Sequence, residues 1–213
     1  MSGPLVRCDG ASRTYGRGDT ATVGLQPTDC EVLPGARIAL VGPSGSGKST
    51  LLHLMAGLDQ PTRGSVSWPG LDERPAVVFQ GPSLLPPLTV LENVALPLIL
   101  AGAHNSVARL AGLVSLERLG LDDLADKLPE EISGGQAQRV AIARALAGAP
   151  RLLLADEPTG QLDGVTATAV VDALLDAADR AGAALVVATH DPVVAGRLAE
   201  RAEMHSGKLT WSR

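Results

Sequence analysis

Aromatic side chains are nearly missing from this 213-residue chain: Tyr15, Trp68, Phe79 and Trp211 are all it has. Leu, Val, Ile and Ala must therefore fill the core, and platforms on which nucleic-acid bases could stack are scarce. Cysteine is equally rare. Cys8 and Cys30 stand far apart, with no CxxC pair and no histidine at metal-ligand spacing. That argues against a disulfide framework and a zinc site, and reduced thiols in a cytosolic protein are expected. There is no excess of positive charge either: 18 Lys and Arg against 23 Asp and Glu leave a net charge of −5, so nucleic acid is not an expected partner. Long apolar runs are absent. The densest, Val94 to Ala103, has about half the length needed to cross a bilayer. Nothing at the N-terminus combines basic residues, an apolar run and a small-residue cleavage site, so no secretory signal is expected. Service to a membrane, if any, must come from outside the lipid.

What the chain does have is alternation. Its composition, 45% hydrophobic and 19% charged, is that of a globular protein with one domain or a core plus one subdomain. Short apolar runs at Arg37 to Val41, Ala76 to Phe79, Leu152 to Ala155 and Ala184 to Ala188 read as strands buried on both faces, because they lack polar alternation. Helical patterns separate them, which predicts an α/β fold. Thr89 with Glu92 has the form of a capping box, and Asp191 before Pro192 the form of an N-cap with proline at the first helical position. Gly57, Gly148 and Gly182 read as helix stops. From Gly81 to about Leu146 the strand runs give way to helical patterns, with Pro97 expected to kink or end the helix that begins near Val90. The chain is thus expected to form a single domain over 1–213, with an α/β core at 1–80 and 147–213 and a helical subdomain at 81–146.

The segment Gly42-Pro43-Ser44-Gly45-Ser46-Gly47-Lys48-Ser49 fits GxxxxGK(S/T) and stands between a predicted strand and an apolar helix from Thr50 to Ala56, the setting a P-loop requires. Glycines let successive N–H groups turn inward, and the following helix adds partial positive charge at its start. A triphosphate fits such a nest. Lys48 is placed to reach the β- and γ-phosphates, and the Ser49 hydroxyl to ligate Mg²⁺. At 156 − 48 = 108 residues beyond that lysine, the apolar run from Leu152 ends in Asp156 and Glu157. In a parallel sheet both loops emerge at the same edge, where ligands bind. Asp156 is then a hard oxygen ligand for Mg²⁺, and Glu157 can orient or deprotonate the attacking water.

Ile132-Ser133-Gly134-Gly135-Gln136-Ala137-Gln138-Arg139, placed before the acidic strand, resembles the signature motif of ABC-type ATPases. Physically it is a second anion site, with Ser133 as N-cap, two glycines allowing close approach and a helix start aimed outward. Further elements of that family follow in order. Tyr15 resembles the aromatic residue that stacks on adenine, Gln80 the Q-loop glutamine that serves metal and catalysis, Asp163 the D-loop aspartate, and His190 the switch histidine at the γ-phosphate. His53, His104 and His205 are read as ordinary histidines. The runs Leu51 to Leu54, Gly57 to Gly64 and Leu84 to Val94 are similar to the lipoprotein-release and macrolide-efflux branch of the family. Two features depart from the pattern: about ten residues between Val66 and Val77, where a longer antiparallel excursion is usual, predict a trimmed β subdomain, and Gln161 stands where asparagine is common.

The resemblance implies an ATP-binding and hydrolysing transporter subunit with ATP and Mg²⁺ as cofactors. Nucleotide-binding residues would be Tyr15, Gly42 to Thr50, Ser133 to Gln136 and Asp163; catalytic residues would be Lys48, Gln80, Glu157 and His190; metal ligands would be Ser49, Gln80 and Asp156. It also implies a head-to-tail dimer that sandwiches two ATP molecules and drives a separate permease, export or envelope mechanotransmission being favoured over import. The chain would then be cytoplasmic and peripheral on the inner face of the cell membrane, reaching the membrane only through the permease. A soluble ABC ATPase uncoupled from transport is the alternative. A small-molecule kinase would share the phosphate loop but leave Ser133 to Gln136 unexplained, and a non-hydrolysing regulatory module would require Glu157 to be dispensable.

Overall fold

The computed structural model describes residues 3–212; Met1, Ser2 and Arg213, counted above in the single domain, lie outside the described residues. In chain order the elements are β1 (Val6–Tyr15), β2 (Thr22–Val32), β3 (Arg37–Val41), α1 (Lys48–Ala56), β4 (Arg63–Ser67), β5 (Ala76–Val78), α2 (Val90–Leu100), α3 (Asn105–Arg118), α4 (Gly134–Leu146), β6 (Leu152–Asp156), α5 (Gly164–Ala181), β7 (Ala184–Thr189), α6 (Pro192–Ala195), β8 (Glu200–His205) and β9 (Lys208–Ser212). Two compact units form. One takes the chain up to Val77, Arg151–Glu157 and the chain from Ala183; the other takes Val78–Pro150 and Pro158–Gly182.

In the first unit a six-stranded sheet runs β5-β6-β7-β3-β8-β9, and a three-stranded antiparallel sheet runs β2-β1-β4. β6, β7, β3 and β8 are parallel, with Leu152 beside Ala184, Val41 beside Thr189 and Ile38 beside Glu200. Every residue of β6 and β7 is buried, as expected for strands covered on both faces. Because these neighbours share direction, Val41, Asp156 and Thr189 all end at one edge. The core beneath is aliphatic, built on Leu5, Leu25, Leu40, Leu51, Leu52, Leu54, Leu152 and Leu154. In the small antiparallel sheet Cys8 stands directly opposite Cys30. Both thiols are free and buried, and the hydrogen bond with Cys8, then burial, pushes the Cys30 thiol well above its ordinary pKa.

The second unit is helical. Val90, Leu91, Val94, Leu116, Leu121, Leu124, Val140 and Ala143 form its core. α2 begins with the expected capping box, Thr89 Oγ accepting from Glu92 N–H while Glu92 Oε2 accepts from Thr89 N–H. Buried Asn93 then secures the turn before the helix: its Oδ1 accepts from Leu85 N–H, and its Nδ2 donates to the carbonyls of Leu85, Leu88 and Thr89.

Several boundaries differ from the sequence reading. α1 starts at Lys48 rather than Thr50, because Gly47 supplies the left-handed turn that opens the helix two residues earlier. β5 ends at Val78, and the Phe79 carbonyl instead accepts from Gln138 Nε2. Pro97 does not end its helix, which continues to Leu100. Gly57 and Gly182 are left-handed C-caps; α4 also stops before Gly148, with Leu146 its last residue and Ala147 its C-cap, but there Ala149 rather than the glycine takes the positive φ, 48°.

Candidate active site

The loop from Gly42 to Gly47 leaves the end of β3 and enters α1. Two of its glycines are required by their surroundings. Gly42 has φ 155° and a side chain there would run into the Met204 carbonyl; Gly47 has φ 105° and a side chain there would meet the Gly24 carbonyl. Both conformations are foreign to L-residues. Gly47 also offers no side chain to cap the helix. Among the described residues α2, α3, α4, α5 and α6 each begin with a side chain accepting a first-turn N–H, whereas α1 leaves its first-turn N–H groups to another acceptor. An anion fits there.

Lys48 is the first residue of that helix and is only 5% exposed. Its Nζ donates to the carbonyls of Gly42 at 2.8 Å and Pro43 at 3.2 Å, and lies 3.3 Å from Glu157 Oε1. The other Glu157 oxygen lies 2.8 Å from His190 Nδ1. A carboxylate can only accept, so Nδ1 carries the proton of that bond. Lysine, glutamate and histidine thus form one chain across the ends of β3, β6 and β7. Glu157 sits at φ 47°, a left-handed conformation unusual for a glutamate, with its N–H held by the Ala188 carbonyl. Such strain persists only where neighbours over-determine it.

Asp156 is buried, and its Oδ1 has no hydrogen-bond partner, as is also true of Ser46 Oγ beside Gly42. An orphaned carboxylate oxygen is costly unless it meets a cation or a donor. Together with the exposed Ser49 hydroxyl one residue into α1, this oxygen suits a hard divalent cation such as Mg²⁺. His53, read above as ordinary, places Nε2 3.9 Å from Asp156 Oδ2, and His205 lines a cavity of about 240 Å³ with Gly42, Pro43, His190 and Arg201. Neither had a local motif to give it away, since both are brought here by the fold.

Tyr15, at the end of β1, is 39% exposed. Its hydroxyl donates to Asp59 Oδ2 at 3.1 Å, the Arg13 guanidinium lies 4.7 Å from its ring centre, and its Cε2 abuts Gly24 beside Thr50 of α1. Partial burial would raise the Asp59 carboxyl, but donors from Gln60 N–H, Tyr15 and Arg13 outweigh it and hold the group below its ordinary value. The ring is therefore fixed in place at the mouth of the phosphate loop.

The second unit carries the remaining candidates. Ser133 caps α4, its Oγ accepting from Gln136 N–H while Gln136 Oε1 accepts from Ser133 N–H. The Ser133 hydroxyl proton stays available to an outside acceptor. Gly134 is open to solvent, but Gly135 is buried, and a side chain there would strike Thr166 Cγ2. Close packing on α5 thus accounts for the second glycine of the motif. Asp163 caps α5, accepting from the N–H groups of Val165 and Thr166 and from the Thr166 hydroxyl; these bonds, that of Thr166 N–H first, lower its pKa. Gln80 is exposed on the segment after β5. Lys48, Asp156, Glu157, His190 and Tyr15 thus stand in the first unit, and Gln80, Ser133 to Gln136 and Asp163 in the second.

Comparison with known proteins shows the family. A family model described as ABC transporter matches residues 25–160. The lipoprotein-releasing system ATP-binding protein LolD of Shewanella oneidensis is 41% identical over 223 residues, covering 98% of this chain and 97% of that protein. Its namesake in Legionella pneumophila is 42% identical over 211 residues, covering 92% and 93%. Among solved structures, a dimeric bacterial ABC transporter cassette superposes with a TM-score of 0.85 at 34% identity, covering 98% of this chain and 99% of that one. A post-hydrolysis dimer of an ATP-binding cassette bound to ADP and Pi gives 0.84 at 33% identity, again covering 98% and 99%.

Proposed function

Because the chain belongs to the family of ABC transporter ATP-binding proteins and is an ATPase subunit of that family, we propose that two head-to-tail copies hydrolyse ATP between them and drive a separate permease of the lipoprotein-release type. The observation that carries this reading is the Lys48–Glu157–His190 chain beside the uncapped start of α1. A cation, a carboxylate and a histidine beside a helix start with no side-chain cap support binding of an anion and attack at its outermost charge. The names of the relatives support the lipoprotein-release assignment, and the dimeric cassettes support the paired arrangement.

In this reading the loop Gly42 to Ser49, with Thr50 behind it, holds the phosphates through backbone N–H groups, and Lys48 turns from its carbonyl partners toward the β- and γ-phosphates. Tyr15 stacks on the base. Glu157 accepts the proton of the attacking water, and His190 steadies that carboxylate and reaches the γ-phosphate through its other nitrogen. Mg²⁺, held by Ser49, Asp156 and Gln80, would neutralise charge on the phosphates. Ser133 to Gln136 of the partner copy complete the donor set around the γ-phosphate, and Asp163 supports the same interface. Neither copy alone surrounds the nucleotide, so closure both assembles the cage and excludes water. Among the described residues no helix is long and apolar enough to cross a membrane; attachment at the cytoplasmic face runs through the permease.

The test is Glu157→Gln. Turnover should fall by about 10²-fold or more, the range for loss of a general base, while ATP affinity is kept. Light scattering should find twice the monomer mass only with ATP present. Wild-type turnover, or a variant that stays monomeric with ATP bound, defeats the reading.

A further inference from the structure

Gln80 follows β5 on an irregular segment, and that segment is gripped on both sides by the same helix. Before it, Gln138 Nε2 donates to the Phe79 carbonyl at 2.9 Å; after it, Arg144 donates from Nη2 to the Pro82 carbonyl at 2.9 Å and from Nη1 to the Ser83 carbonyl at 2.8 Å. Gln138 is 2% exposed. Among the described residues Arg144 has no carboxylate partner: its charge-assisted bonds go to these two carbonyls, and burial pushes its pKa down from the usual value. A partly desolvated guanidinium satisfied only by main chain is an expensive way to secure an ordinary loop. The loop it secures is itself strained, since Ser83 has φ 48°, and such a conformation needs outside support. Gln138 and Arg144 lie six residues apart, a rise of about 9 Å along a helix, which suits two grips on either side of a short bend. The helix that supplies both is α4, whose first turn carries Ser133 and its capping box.

We propose that Gln138 and Arg144 are positioning residues that fix the main chain on both sides of Gln80 to α4, so that Gln80 and the Ser133 helix start move as one piece. This rests on the reading above, in which Gln80 serves one nucleotide and Ser133 the nucleotide of the partner copy. A displacement of the segment carrying Gln80 is thereby transmitted to the helix end that must meet the partner, without a contact between the two side chains. Gln138 and Arg144 act through Gln80 and touch neither nucleotide nor metal.

The test is a double-variant cycle on the full chain, measuring steady-state phosphate release with ATP and Mg²⁺ and, separately, ATP affinity. Arg144→Met should lower kcat by about tenfold while ATP affinity stays within about a factor of two, because the grip concerns orientation rather than ground-state binding. Gln138→Leu should act in the same direction. The apparent KM for Mg²⁺ should rise in both. Gln80→Ala combined with Arg144→Met should lose little more than Gln80→Ala alone, since the second change removes support from a side chain already gone. If the two losses multiply instead, the positioning role is wrong while the reading of Gln80 stands. If Gln80→Ala alone turns over like wild type, that reading fails and takes the proposal with it. Should Arg144→Met not fold, Arg144→Lys, which can reach one carbonyl but not both, runs the same cycle with the same criterion and an expected intermediate kcat.

Discussion

Lys48 occupies a position where every donor matters, because its ammonium is almost fully buried and bonded to Gly42, Pro43 and Glu157. A triphosphate offers better acceptors than two carbonyls, so the ammonium can exchange partners without being left bare. Lys48→Ala should weaken ATP binding by about tenfold or more, the worth of one charged hydrogen bond, as read by calorimetry; affinity within a factor of about two would exclude that role. Asp59 makes a subtler case. Its carboxyl anchors Tyr15 and Arg13 and titrates below its ordinary value of 3.8. Stabilisation from an acid with a lowered folded pKa is present in full above the unfolded value and is lost as pH falls through the folded one. Asp59→Asn should therefore cost about 1 kcal/mol at neutral pH, given the partial exposure of the pair. Urea midpoints of wild type and variant should converge below pH 3.8 and stay separated above it. A gap unchanged on acidification would mean that the ionised carboxylate contributes nothing.

At the scale of elements, each helix start is specified by the residue that caps it. Thr89, Ser133, Asp163 and Asp191 all cap where they stand, and α1 is told apart by lacking such a residue. The packing of α4 on α5 depends on Gly135, which leaves no room between its Cα and Thr166 Cγ2. Gly135→Ala should cost about 1–3 kcal/mol by overpacking. Adding Thr166→Ser, which deletes that methyl but keeps the hydroxyl bonded to Asp163, should restore most of it; thermal melts of the four combinations measure the coupling, and additive losses would show that the two residues do not clash. Much of this was legible beforehand. The phosphate loop, the acidic strand end and the Ser133 motif declare themselves locally, because spacing along one strand–loop–helix decides them. What stayed hidden depends on residues distant in sequence: Cys8 opposite Cys30, His53 near Asp156, and the carbonyls of Phe79, Pro82 and Ser83 held by a helix about 60 residues on. Gly148 follows the C-cap of α4 as a stop should, but not in the left-handed conformation. The chain put its left-handed turn one residue later, on Ala149, where the N–H bonds back to the Leu146 carbonyl.

For the molecule as a whole the decisive matter is which copy each functional group serves. Lys48, Asp156, Glu157 and His190 cluster in one unit, while Ser133 and Asp163 lie at adjacent helix starts in the other, and a head-to-tail pair would bring the first group of one copy to the second group of its partner. In such a pair, related by a two-fold axis, every damaged residue appears once in each composite site. Glu157→Gln and Ser133→Ala should each inactivate both sites when the variant is alone. In an equal mixture, protomers that exchange freely give mixed dimers in which one site carries both lesions and the other none. Activity should then reappear, up to about one quarter of the wild-type rate per protomer if the sites act independently, and a mixture of Glu157→Gln with Lys48→Ala should stay dead because both lesions reside with the same phosphate loop. Phosphate release from the two mixtures, each equilibrated with ATP and Mg²⁺, separates the cases. Silence in the first mixture after demonstrated exchange would place Ser133 at its own copy's nucleotide and remove the reason for pairing.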